Sequence, residues 1–166
     1  ISENKDPQRD ERRTLKPGDT IHPTAVASEL AVGDSHQARV YSRLQYNWSG
    51  VKLTNGATYS FSVPPGQQWL DGDIECGPEG WTSEQLPWGK EHIVKMFEDR
   101  RRVKEANWFE LIGALGDEDD MLFRIGKGDT PYTAIDGSEL YLFANDLKTR
   151  YDNNEGWLDV TITRSA

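Results

Sequence analysis

The sequence predicts an all-β domain, either a β-sandwich or a barrel, and two features support this prediction. Short stretches of alternating apolar and polar residues recur along the chain, and glycine or proline stands at nearly every junction between them. The clearest stretch is "WLDVTITR", in which Leu158, Val160 and Ile162 share one face, with Asp159 and Thr161 on the other. The 166 residues are enough for one well-buried domain, and many short strands favour a sandwich or a barrel.

The other predicted strands follow in chain order. Residues 37–46, "QARVYSRLQY", alternate with four apolar residues on one face, which predicts one strand. Those four residues are Ala38, Val40, Leu44 and Tyr46. "TNGATYSFSV" then offers an Asn-Gly turn and a strand with Tyr59, Phe61 and Val63 on one face. "WFELIGAL", "MLFRIG" and "ELYLFA" predict three more strands.

Two segments do not fit the strand pattern. In residues 90–105, "KEHIVKMFEDRRRVKE", Ile93, Phe97 and Arg101 recur at the spacing of a short amphipathic helix, but the segment fits a long loop equally well. Residues 1–20 are polar and charged, and we predict a flexible arm or linker there. A single domain then spans residues 21–166.

The charge balance bears on the class of partner. The net charge of −9 argues against nucleic acid, because that binding depends on Lys and Arg neutralising phosphates. The basic run "RRRVK", Arg100–Lys104, is the local exception, and we predict a solvated face for it rather than a partner contact. No apolar run approaches the roughly 20 residues of a membrane span. The charged start lacks the apolar core of a signal peptide, and the compartment stays open between the cytoplasm and export without a visible signal.

Motifs of known enzymes are missing from the sequence. It contains no G-x-S-x-G elbow, no P-loop and no H-E-x-x-H. Cys76 stands in no recognisable arrangement with His22, His36 or His92, and we predict a small buried side chain for it. The carboxylates of "GDEDD", Gly116–Asp120, are typical of a solvated turn. We therefore expect no enzymatic activity.

One loop concentrates oxygen-bearing side chains. Asp146 ends one predicted strand, and Asn153 and Asn154 precede the next. Turn chemistry explains such residues, because Asn and Asp bond to their own main chain. A hard cation is the alternative explanation, because calcium takes carboxylate, amide and carbonyl oxygens. An EF-hand is excluded: counted from Asp152, the twelfth position is Thr163 rather than Glu.

The chain also resembles a known family. "WFELIGALGDEDDMLFRIG", "GSELYLFAND" and "YDNNEGWLDVTI", within residues 108–162, resemble the C-terminal half of the LecA-like, PA-IL-type bacterial galactose-binding lectins. Upstream, residues 61–80, "FSVPPGQQWLDGDIECGPEG", are similar to a strand, a Trp-containing loop and a GP-x-G element of that family. The resemblance covers roughly residues 50–164, and it implies a jelly-roll-like β-sandwich of the galactose-binding-domain kind.

The resemblance also implies one calcium ion that binds two vicinal hydroxyls of a sugar. Asp146, Asn153 and Asn154 match the side-chain calcium ligands of the family. Arg150 stands where the family uses a main-chain carbonyl. A second carbonyl is expected from the loop after Trp69, where Asp71 is our choice.

The loop after GP-x-G departs from the family pattern. The family carries His-Pro and then Gln there, to contact the primary hydroxyl of the sugar. Here the loop runs "WTSEQLPWGKEH", with Leu86 and Pro87 at the expected positions. We expect Gln85, Trp81 or Trp88 to provide a sugar contact instead, since aromatic faces stack on apolar sugar faces. The alternative is that Trp81 or Trp88 only packs its loop against the domain.

The sequence thus predicts a calcium-dependent, lectin-like domain that binds galactose or a related sugar. The alternative is an accessory interaction domain of a larger hydrolase in which calcium is purely structural. The partners expected are a sugar or glycan, with no nucleic acid and no membrane insertion. Self-association and fusion to a larger enzyme both stay open.

Overall fold

Twelve short strands and little helix make up the described part of the chain. The computed structural model describes residues 15–86 and 90–166. The strands are β1 Thr20–Ile21, β2 Ser35–Tyr41, β3 Tyr46–Lys52, β4 Thr58–Ser62, β5 Trp69–Asp71, β6 Ile74–Cys76, β7 Leu111–Leu115, β8 Leu122–Arg124, β9 Tyr132–Thr133, β10 Glu139–Ala144, β11 Asn154–Glu155 and β12 Trp157–Arg164. One α-helix, α1, spans Lys90–Lys95, and 3-10 turns lie at Ser83–Gln85, Glu98–Arg100 and Tyr151–Asn153.

The strands form two large sheets and one small one. The five-stranded sheet has the order β1-β3-β10-β7-β8, and the four-stranded sheet has the order β2-β12-β4-β9. In the small sheet, β11-β5-β6, strand β11 from near the C-terminus pairs with the β5–β6 hairpin that follows β4. The all-β, sandwich prediction is therefore confirmed. Within the described ranges, no helix is long and apolar enough to cross a membrane.

The core lies between the two large sheets. In β12 the inward residues Leu158, Val160 and Ile162 are completely buried, as the alternation predicts. They pack in one cluster with residues of the facing sheet such as Leu111 and Leu142. Each buried aliphatic side chain contributes about 1.5–3 kcal/mol, so this two-sided layer is the main source of stability.

The outer face of the five-stranded sheet is buried as well. Tyr46, Ile112 and Phe143 form a second cluster there with Ala106. Because the segment around residues 102–106 covers this face, every residue of β7 is buried. A strand covered on both sides shows no alternation, which explains the continuous apolar run in "LIGAL".

Two expectations from the sequence need correction. Residues 37–46 are not one strand: β2 ends at Tyr41, β3 begins at Tyr46, and the two belong to different sheets. The Asn47 side chain closes the turn between them by accepting a hydrogen bond from Tyr41 N (2.9 Å) and donating one to Tyr41 O (3.0 Å). All four predicted inward residues are nonetheless buried: Ala38 and Val40 lie in the core between the sheets, whereas Tyr46 lies in the cluster on the outer face of the five-stranded sheet.

Residues 90–105, which fit a short amphipathic helix and a long loop equally well, contain the short helix α1 and a 3-10 turn. Ile93 in α1 is 60% exposed, so the helical spacing does not mark a core face. The last residues of the predicted arm or linker contact the domain. Residues 1–14 lie outside the described residues, but Gly18 N donates to Arg43 O (3.0 Å) and Thr20 pairs with Tyr46.

The basic run Arg100–Lys104 is the second correction. Arg102 is not solvated: its side chain is only 1% exposed. The guanidinium lies 3.4 Å from the ring centroid of Phe143 and is bonded to Asp119 by two contacts of 2.7 and 3.1 Å. Asp119, one of the acids predicted to form a solvated turn, is therefore the partner of a buried cation. Cys76 is a buried free cysteine, as predicted.

Candidate functional site

The strand ends bring the predicted oxygen-bearing residues to one place. Asp146 follows two residues after the end of β10, and Asn154 opens β11 after the 3-10 turn Tyr151–Asn153. Strand β11 pairs antiparallel with β5, with Asp71 opposite Asn154. Gly72 N donates to Asn153 O at 3.0 Å and fixes the same register on the neighbouring residue. Backbone pairing therefore joins the two loops that the sequence singled out.

Asp146 and Asn154 form the buried half of the cluster. They are 3% and 0% exposed. Asn154 Nδ2 donates to Asp146 Oδ2 (3.0 Å) and to Ser42 O (3.0 Å), while Leu147 N donates to Asp146 Oδ1 (2.7 Å). Asn154 Oδ1 is buried and has no hydrogen-bond partner within the described residues. Such an atom is rare in a folded protein and calls for an explanation.

Asp71 and Asn153 form the open half. Asn153 is exposed, and its Nδ2 donates to Asp71 Oδ1 at 3.3 Å. Trp81 Nε1 donates to Asp71 Oδ2 at 3.1 Å. The Asp71 side chain therefore faces the cluster, whereas the sequence predicted only its main-chain carbonyl.

The electrostatics of the cluster are those of an uncompensated acidic pair. Burial, followed by the negative charge of Asp71, raises the pKa of Asp146 to about 7. Burial also raises the pKa of Asp71. Neither carboxylate belongs to any ion pair among residues 15–86 and 90–166. The positive charge of Arg150 opposes both shifts from a distance.

A cavity of about 200 Å³ opens onto this cluster. Its polar side is formed by the two carboxylates with Asn153 and Arg150. Its apolar side consists of Trp81, Ile93, Val94, Phe97, Trp108 and Leu147. Trp81 and Trp108 stack with ring centroids 5.7 Å apart. The cavity is smaller than the roughly 300–1,000 Å³ of drug-sized ligand sites, so it suits one small ring rather than a long chain.

The remaining predicted site residues have different places. The Arg150 side chain is exposed and lines the cavity. The Gln85 Oε1 atom accepts a hydrogen bond from Thr82 N at 3.2 Å, within a 3-10 turn, and Gln85 is not among the lining residues. Its sugar contact stays a prediction. Trp88 and Pro87 lie outside the described residues. Trp81 is only 5% exposed, so it packs the loop down and also forms a wall of the cavity.

Arg102 is the supporting residue that the sequence did not identify. Its backbone N donates to Asp146 O (3.3 Å), and its guanidinium donates to the hydroxyl of Tyr151 (2.7 Å). Tyr151 is completely buried at the start of the turn that presents Asn153. Arg102 therefore contacts both ends of the loop between Asp146 and Tyr151 and stabilises it. Three consecutive arginines carry no pattern that marks the middle one as buried.

Comparison with known proteins gives a likeness at the level of the fold. No family model matches the chain, and no curated protein matches its sequence. A solved structure described as the EclA N-terminal domain, a PllA-like lectin, superimposes with a TM-score of 0.53 at 19% sequence identity. The match covers 78% of this chain and 94% of that chain. The chain thus shares its β-sandwich fold with a lectin domain over nearly the whole of that domain.

For the described residues, the side-chain atoms of the cluster can be compared with the ligands that each metal ion prefers. No group of three or more acidic, histidine or cysteine side chains placed to hold a metal ion occurs in this part of the chain. The cluster holds two carboxylates and two amides, all of them oxygen donors. Zinc prefers nitrogen and sulfur ligands, and calcium prefers oxygens, so this set fits calcium.

Proposed function

We propose that the chain is a non-catalytic, calcium-dependent carbohydrate-binding domain that recognises vicinal hydroxyls of galactose or a related sugar. The observation behind the proposal is the buried, unpartnered Oδ1 of Asn154, a residue whose Nδ2 bonds to Asp146 and whose backbone pairs opposite Asp71. Buried charges in proteins are normally paired or bound to a metal. A divalent cation would satisfy the amide oxygen and neutralise both carboxylates.

The residues that would hold calcium come from both loops. Asp146, Asn153 and Asn154 offer side-chain oxygens, and Arg150 and Asp71 offer the main-chain carbonyls that the family resemblance implies. The carboxylate of Asp71 is a further oxygen donor at the same cluster. Calcium takes six to eight oxygens, and when bound it would supply positions at which sugar hydroxyls replace water.

The rest of the cavity supports a sugar as the ligand. Asp146 can accept hydrogen bonds from hydroxyls, and the exposed Asn153 amide can both donate and accept. The apolar wall around Trp81 and Phe97 provides a surface for the C–H face of a sugar ring. The description of the structural neighbour as a lectin supports the same class of ligand.

Calorimetric titration with galactose, in calcium and then in chelator, tests the proposal. Asp146→Asn is the main variant, and Asp152→Asn is its matched control, because Asp152 is an exposed acid of the same loop that does not line the cavity. We expect galactose to bind in calcium, and binding to disappear in chelator and in Asp146→Asn. The control variant should bind as the unmodified chain does.

Thermal unfolding separates the proposal from its alternative. Calcium should raise the melting temperature of the unmodified chain and of Asp152→Asn, but not that of Asp146→Asn. If calcium raises the melting temperature while no sugar of a broad panel binds, the ion is structural and the chain fits an accessory domain of a larger hydrolase. If calcium changes neither stability nor binding, the metal site itself is refuted.

A further inference from the structure

A basic cleft lies beside the candidate sugar site. It has a volume of about 760 Å³ and is open to solvent. Four cationic side chains line it, with one carboxylate and three uncharged residues: Arg100, Arg102, Lys148, Arg150, Asp119, Phe97, Leu147 and Thr149. This concentration of positive charge is unexpected in a chain whose net charge is −9.

Three of the four cations are available to a ligand. Arg102 is not, because it is buried and its charge is balanced by Asp119. The Lys148 side chain is 58% exposed and reaches Asp119 only at 3.4 Å. Arg100 is exposed, with its guanidinium 5.4 Å from the ring centroid of Phe97. Arg150 is exposed and forms no ion pair with any described residue. Since Arg102 already neutralises Asp119, the cleft keeps an excess of positive charge.

The cleft is continuous with the cavity over the acidic cluster. Phe97, Leu147 and Arg150 line both of them. A ring held in the small cavity can therefore direct a substituent, or a neighbouring sugar, over Leu147 into the cleft. Arg guanidinium groups match planar and tetrahedral oxyanions through paired N–H donors, and Lys adds a point charge.

We propose that this cleft is a subsite for the anionic group of an acidic glycan, either a sulfate ester or a sugar carboxylate. The inference rests on the proposed carbohydrate-binding function and specifies its ligand class. Arg100, Lys148 and Arg150 supply the charge, while the neutral ring is bound in the small cavity by Asp146, Asn153 and the proposed calcium ion. A neutral glycan fills the cavity alone, and an acidic one engages both.

Titration with three related sugars tests the subsite. Galactose, a sulfated galactoside and a sialylated galactoside are compared in calcium at low and high salt. Exposed ion pairs contribute about twofold to fivefold each, so we expect the acidic sugars to bind at least several-fold more tightly at low salt. Salt should reduce that preference, because such pairs are screened over a Debye length of about 10 Å at 0.1 M.

The double variant Arg100→Ala/Lys148→Ala tests the cleft separately from the sugar cavity, because it removes two exposed cations of the cleft. Both side chains are exposed and lie outside the acidic cluster, so galactose affinity should not change while the preference for acidic sugars falls by about fourfold or more. Lys127→Ala is the control, because Lys127 is exposed and lines neither the cleft nor the cavity. Inorganic sulfate at the same ionic strength tests for a free-anion site.

The outcomes separate the two proposals. If galactose binds but acidic sugars bind no better, or if the double variant keeps the preference, the acidic subsite is refuted and the lectin function stands. If inorganic sulfate competes as well as the sulfated sugar does, the cleft binds free anions and the glycan assignment is refuted. If no sugar binds at all, both proposals fail.

Discussion

The buried ion pair of Arg102 and Asp119 makes a strong prediction about stability. The Arg102 side chain is 1% exposed, and Asp119 bonds it through both oxygens, at 2.7 and 3.1 Å. Asp119 also accepts a hydrogen bond from the hydroxyl of Tyr46. Asp119→Asn keeps the shape of the side chain but leaves the guanidinium without a counter-charge. Removing one partner of a buried pair costs about 3–5 kcal/mol.

The lower end of that range applies here. The Asn carbonyl can still accept one hydrogen bond, and Arg102 keeps its bonds to Gln45 O and to the hydroxyl of Tyr151. We therefore expect a loss of about 3 kcal/mol in the free energy of unfolding. For a chain of this size, that corresponds to a fall in melting temperature of roughly 6–12 °C. Asp117→Asn, at an exposed acid of the same turn, should change stability by less than about 0.5 kcal/mol.

The pH dependence provides an independent check. Burial alone would raise the pKa of Asp119, but hydrogen bonds from Arg102 and Tyr46 outweigh burial and lower the pKa to about 2. The folded-state pKa lies below the unfolded value of about 3.9, so the unfolded chain binds the proton more tightly. The stabilisation is complete above the unfolded pKa and is lost as the pH falls toward 2.

Urea unfolding followed by circular dichroism, from pH 7 down to pH 2, measures both effects. The difference in unfolding free energy between the unmodified chain and Asp119→Asn should be largest near pH 7 and should shrink below pH 4. A variant as stable as the unmodified chain at pH 7 would refute the buried pair as a stabilising contact. A difference that stays constant down to pH 2 would show that the loss is not ionic.

Two further predictions concern the support of the site. Gly80→Ala should destabilise the fold by about 1–3 kcal/mol more than Gly116→Ala, as measured by thermal unfolding; both glycines have positive φ, but only at Gly80 would the new Cβ lie 2.1 Å from Trp108 O. Equal losses would contradict this clash. Tyr151→Phe should cost about 1–3 kcal/mol in urea unfolding, because it leaves an N–H of Arg102 and the Ala144 carbonyl without their partner. An unchanged midpoint would exclude the hydroxyl as a support.

The sequence predicts those parts of the fold in which one face of a strand is buried and the other is not. Strand β12 was predicted with its bounds, because its residues alternate without interruption. Residues 37–46 also alternate, but the chain turns between β2 and β3 and passes from one sheet to the other. The Asn47 side chain makes that turn by bonding to Tyr41. When the alternation of apolar and polar residues continues through the turn between two strands, the sequence pattern alone cannot distinguish the two strands from one long strand.

The sequence indicates part of the geometry of the candidate site, for a similar reason. Asp146, Asn153 and Asn154 flank one loop, so their proximity follows from chain connectivity. Asp71 lies far away in sequence, and only the family resemblance brought it to the same place. The direction of its carboxylate depends on Trp81 and Asn153 as hydrogen-bond donors. Such contacts between distant segments leave no trace in local patterns.

The contrast between two carboxylates is the reason for proposing a ligand at one of them. Asp119 has its counter-charge within the fold, and its pKa is lowered. Asp146 lies near a second carboxylate and a buried, unpartnered amide oxygen, and its pKa is raised. The ion pair of Asp119 with Arg102 is complete without any ligand, so it is structural. The carboxylates of Asp71 and Asp146 have no ion-pair partner among the described residues, and this is why we propose a cation there and none at Asp119.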